Sequence, residues 1–85
     1  MDVQQISPIE PLVTEIVATL TLAAHAYLSE ETEPPGSDLQ SAEIAIDVAT
    51  AAFERAKERL RPEDRLALAQ MLTETRMMFV RKRGL

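Results

Sequence analysis

Leu39, Ala42, Ile46, Ala49, Phe53, Ala56 and Leu60 recur at alternating steps of three and four residues. Apolar residues at that spacing return to one side of an α-helix. The stretch therefore predicts a rod of about 20 residues, roughly 30 Å long, with an unbroken seam. Glu43, Asp47, Thr50, Glu54, Lys57 and Arg61 fall along the opposite side. A helix with one apolar seam has to bury it, so the rest of the chain is expected to pack onto this rod.

The flanking segments carry the same period. Leu12, Val13, Ile16, Val17, Leu20, Ala24 and Leu28 fall on one side of a helix over about 9–28. Its start is marked by Ser7-Pro8-Ile9-Glu10, which has capping-box spacing, although Pro11 removes a donor from the first turn. Residues 29–38, with Glu30, Glu31, Glu33 and the Pro34-Pro35-Gly36 breaker, are expected to form a solvated loop. Ser37 or Asp38 is the candidate cap for helix 2, over about 39–60. Pro62 then suits the first position of helix 3, and Glu63 and Asp64 suit its positive end. Helix 3 should run to about Lys82 with Leu68, Met71, Leu72, Thr75, Met78 and Phe79 inside and Gly84 as the stop. The expected fold is all-α: one domain over 1–85, an antiparallel three-helix bundle with a tight helix 2–helix 3 hairpin.

Two surface pairs, Glu54–Lys57 and Glu58–Arg61, are expected along helix 2. The tight turn sets the hairpin register, in which residues whose numbers sum to about 122 lie level. Asp47 then lies beside Arg76, and an ion pair between them is expected across the hairpin.

A core of 85 residues is marginal unless something reinforces it. The chain has no cysteine, and His25 is its one histidine, so disulfides and thiolate metal sites are excluded. A second copy of the chain remains as the reinforcement. Ala18, Leu22 and Ala26 place apolar surface on the far side of helix 1, and with Met77 they form the candidate interface of a homo-oligomer, with a dimer favoured.

The net charge of −5 is unevenly spread. Residues 1–54 hold ten acids and no Lys or Arg, whereas residues 55–85 hold nine bases and four acids. Such halves favour docking of helix 1 on helix 3 or a head-to-tail contact between subunits. The first residues lack the basic start of a secretory leader, and the longest uncharged stretch, Ile16 to Ser29, is shorter than the roughly 20 residues a bilayer requires. A cytoplasmic protein without membrane contact is the expectation.

The run Asp38-Leu39-x-x-Ala42-x-x-x-Ile46-Asp47, then Leu60-x-Pro62-Glu63-Asp64, then Leu68-x-x-Met71-Leu72-x-x-x-Arg76-Met77-x-Phe79-Val80 resembles a bacterial family catalogued as domain of unknown function 1844. The likeness covers residues 38–80 at motif quality and helix 1 loosely, and its most specific piece is the ending Arg76-Met77-x-Phe79-Val80. Arg61 stands where the family has a Thr or Ser cap, and Thr75 where it often has Leu. The resemblance implies a short helical bacterial protein and supplies no activity.

Chemistry is sparse. Glu43 and Asp47 make the clearest carboxylate pair, but a di-metal phosphohydrolase needs carboxylates converging from several helices, and no Glu-x-x-His is present. No nucleophile constellation or glycine-rich phosphate loop occurs, and His25 sits among Ala24, Ala26 and Leu28 as a packed or rim residue. No cofactor and no enzymatic activity are expected. Arg55, Arg59, Arg61 and Arg65 gather near the hairpin turn, and Arg81, Lys82 and Arg83 at the far end of helix 3. The latter three are the candidate phosphate contacts of an alternative RNA- or ribosome-associated role, although no aromatic stacking surface accompanies them. The leading expectation is a non-enzymatic, self-associating interaction module, with a magnesium-dependent phosphohydrolase as a remote alternative.

Overall fold

The computed structural model describes residues 8–29 and 38–84. They form three helices, α1 (Ile9–Leu28), α2 (Leu39–Ala56) and α3 (Pro62–Gly84), with a 3-10 turn over Lys57–Arg59. No strand occurs among the described residues, and the fold class is all-α.

The seam on α2 is the spine of the core. Ala42, Ile46, Ala49, Phe53, Ala56 and Leu60 are all buried, and Leu39 packs at the rim. Helix 2 ends earlier than the spacing predicts, however. The chain tightens into the 3-10 turn after Ala56, and Leu60 is extended (φ −84°, ψ 152°). Leu60 still reaches the core, because that turn swings it back under Phe53 and Leu68. Arg61 precedes a proline, whose ring disfavours helical backbone there, and α3 starts at Pro62.

Ala42, Ala45, Ala49, Ala52 and Ala56 form a second seam of steps three and four on the same helix. They pack with α1, which makes its broadest contact with α2. Methyl side chains along this seam let two helix backbones approach closely. Val13 and Val17, early in α1, share a cluster with Phe53 and Ala56, late in α2. Ala24 and Leu28 share another with Ala42 and Ala45. The start of α1 therefore lies at the end of α2.

Contacts between α1 and α3 follow a different rule. Thr21 Oγ1 lies 3.4 Å from Met71 Sδ, and His25 Nε2 lies 3.0 Å from Thr75 Oγ1. Both pairs are 50 residues apart in sequence, the constant offset of helices lying side by side in one direction. The charge division in the sequence is consequently folded together in space. Glu10 of the acidic half meets Arg59 of the basic half through Nη2 at 2.7 Å and Nε at 2.9 Å.

Several expectations about individual residues change. Leu12 and Ile16, expected inside, are exposed, and Thr21, a polar residue, is buried in their place. Thr21 tolerates burial because its hydroxyl bonds its own helix, 3.0 Å from Val17 O and 2.9 Å from Ala18 O. Met71 is partly exposed at the edge of the α1–α3 contact. The Glu54–Lys57 pair forms at 2.8 Å. Glu58 pairs with Arg65 at 3.8 Å instead of with Arg61, which turns to Asp64 at 3.3 Å. Neither α1 nor α2 carries a side-chain cap bond: Pro8 and Asp38 occupy the cap positions, and the alternatives Ser7 and Ser37 lie outside the described residues. Gly84 is the last helical residue rather than the stop beyond Lys82.

Candidate interaction surface

Each residue of a helix turns about 100° from the last, and this fixes which sides of α1 and α2 remain uncovered. On α1, Thr21 and His25 face α3. Ile16 lies about 140° around from Thr21 and about 180° from His25. On α2, Thr50 receives the Arg76 guanidinium of α3, and Val48 lies about 160° around from Thr50. The two helices form a layer with α3 on one face only. The opposite face presents Leu12 (41% exposed), Ile16 (45%), Ile44 (57%) and Val48 (49%), a cluster of large aliphatic side chains in water. Half-buried Leu20, Ala23, Tyr27 and Ala52 fill the floor between them. A shallow groove along α1, lined by Leu12, Glu15, Ile16, Thr19 and Leu20, belongs to this face.

The expected interface residues do not form one patch. Leu22 (71% exposed), Ala18 and Ala26 lie on the flank of α1 beyond α3. Met77 is 54% exposed but projects from α3 about 120° around from Met71, the residue that meets α1. Periodicity gave each helix an apolar excess; it could not say which side of α1 would meet α3.

The expected Asp47–Arg76 ion pair does not form. Both residues line a small groove with Glu43, Ile46, Phe79 and Val80, but Arg76 Nη2 donates to Thr50 Oγ1 at 2.6 Å. Thr50 lies one turn beyond Asp47 and about 60° closer to α3, whereas Asp47 points to solvent. Thr50 passes its own proton to Ile46 O at 2.7 Å, leaving its lone pairs for the guanidinium.

Most of the basic residues are engaged. Arg59, Arg61 and Arg65 each meet a carboxylate, and the Arg83 guanidinium stacks 5.5 Å from the centre of the Phe79 ring. Arg81 is exposed and Lys82 is half-buried beside them. A larger groove of about 530 Å³ lies where α1 begins, lined by Glu10, Glu15 and Asp64 together with Arg59 and Arg61. Glu10 and Asp64 there pair with Arg59 and Arg61, and among the described residues no three His, Asp or Glu side chains converge to hold a metal ion. Glu43 and Asp47 gain no third carboxylate either.

By length and composition alone, α1 is apolar enough to cross a membrane, with 20 residues and a mean hydropathy of 1.3. The core helix of a soluble protein and a signal sequence meet the same description, and 28% of the apolar window is buried within the protein, at Val13, Val17, Thr21, Ala24 and Leu28. No family model, curated protein or solved structure matches the chain.

Proposed function

We propose that this chain is a cytoplasmic, non-enzymatic interaction module, an antiparallel three-helix bundle that associates with a second copy of itself. The observation that carries the reading is the aliphatic face of Leu12, Ile16, Ile44 and Val48 on the side of the α1–α2 layer away from α3. Burying such side chains is favourable by about 25 cal/mol per Å² of apolar surface, and a domain this small benefits from a further core. The resemblance of residues 38–80 to a short helical bacterial family supplies no activity. The alternative of RNA association draws less support, because Arg83, one of its three candidate contacts, stacks on the Phe79 ring, and the neighbouring cluster of Arg59, Arg61 and Arg65 is held by carboxylates.

Absolute mass by light scattering after size exclusion, across a wide concentration range and at low and high salt, tests this reading. A dimer that persists in high salt is the expected result. A strict monomer at every concentration overturns it. RNA affinity that falls steeply with salt and is lost on neutralising Arg81, Lys82 and Arg83 would favour the alternative.

A further inference from the structure

Two charged residues border the aliphatic face, and both are without an ion-pair partner among the described residues. Glu15, exposed on the outer edge of α1, lines the groove with Leu12 and Ile16. Arg55, exposed on α2, is within about 20° of Val48 around the helix. The clusters that join Val17 to Phe53 and Ala24 to Ala45 place Arg55 level with Thr14 and Glu15. The two charges thus sit at the same height on the face, one on each helix.

Resting on the self-association reading, we propose that two copies stack their α1–α2 faces about a two-fold axis parallel to the helices, placing α1 of each on α2 of the other. Rotation about that axis keeps every residue at its own height and exchanges left for right. Arg55 of each chain then comes over Glu15 of the partner subunit, forming two equivalent ion pairs at the rim. An axis in the same plane but across the helices also brings the two faces together. It sets each α1 on the partner's α1 and each α2 on the partner's α2, so Glu15 and Arg55 fall on different helix pairs and neither gains an opposite charge.

Side-chain size follows the same arrangement. The part of α1 with Ile16 meets the part of α2 with Ala51 and Ala52 from the partner. The half of α1 with Ala23 and Ala26 receives the partner's Ile44 and Val48. Ile16, Ile44 and Val48 thus each find a small residue near their own height on the opposing helix, which favours close packing. The face is roughly 30 Å by 20 Å, a scale similar to the about 800 Å² per partner of a standard stable interface.

The test measures dimer dissociation constants by sedimentation for the full chain, with circular dichroism confirming that each variant retains its helices. Ile16→Glu and Val48→Glu are expected to weaken dimerisation at least about 100-fold, since each buries an unpaired charge. Glu15→Arg and Arg55→Glu are each expected to weaken it at least about tenfold. An equimolar mixture of these two charge variants is expected to recover a dimer within about threefold of the wild-type constant, because each Arg-bearing edge then meets a Glu-bearing one. If the wild type is monomeric, both the self-association reading and this inference fall. If a wild-type dimer survives Ile16→Glu and Val48→Glu, self-association stands and this face is overturned. If those variants dissociate but the mixture of charge variants does not re-form a dimer, the two-fold arrangement is overturned.

Discussion

His25 Nε2 and Thr75 Oγ1 meet at 3.0 Å across the α1–α3 contact, and the direction of that bond is fixed by what Thr75 does next. The Thr75 hydroxyl lies 2.8 Å from Met71 O and gives it its single proton. With that proton given to Met71, the hydroxyl accepts from His25, an arrangement that goes with the Nε2–H tautomer of the imidazole. A fully buried threonine on α3 is satisfied by a histidine on the rim of α1, and the two hold the helices in register.

Thr75→Val keeps the shape of the side chain and removes both bonds. It is expected to lower stability by about 1 kcal/mol, since His25 can turn to water while the register contact is lost. Urea denaturation reads the loss, and the ¹⁵N spectrum of His25 should show its preference for the Nε2–H tautomer relax. A variant as stable as wild type with an unchanged His25 spectrum would remove the bond from the account.

Ala49 has no exposed surface and lies in the middle of the alanine seam. Ala49→Leu inserts three carbons where two helices approach closely, and a loss of about 1–3 kcal/mol or more is expected. For a chain of this size that corresponds to roughly 4–8 °C in Tm per kcal/mol. An unshifted thermal melt would mean that α1 and α2 are not held close by small side chains.

Asp47 faces solvent while Arg76 bonds Thr50, so Asp47→Ala is expected to change stability by less than about 0.5 kcal/mol. Thr50→Val should cost more, about 1 kcal/mol, because it removes the acceptor of the guanidinium. Chemical denaturation of the two variants side by side decides the ranking. The reverse order would restore an Asp47–Arg76 pair.

Arg59 joins the start of α1 to the turn before α3 through two contacts with Glu10 Oε2. Arg59 is two-thirds exposed, so Arg59→Ala is expected to cost only about 0.2–1 kcal/mol at low salt. The difference from wild type should shrink in molar salt, where charges are screened within about 3 Å. A cost independent of salt would point to packing of the arginine stem rather than charge.

Local spacing settled much of the architecture. The bounds of α1, the start of α2 and Pro62 as the start of α3 follow from apolar period and proline chemistry, which depend only on neighbours along the chain. So does the buried seam from Ala42 to Leu60. The 3-10 ending of α2 was less legible, because Leu60 falls on the seam whether the helix continues or tightens. Which apolar side of α1 would be covered was not legible at all. Leu12, Ile16 and Leu22 are as hydrophobic as Val13 and Val17, and only the placement of α3 beside Thr21 and His25 decided that the former stay exposed. The Arg76 partner was decided in the same way: Asp47 and Thr50 lie one turn apart, and the rotation of α2 against α3 selected the hydroxyl over the carboxylate. Sequence periodicity specifies how many faces a helix can bury; the angles at which three helices meet specify which of them it does.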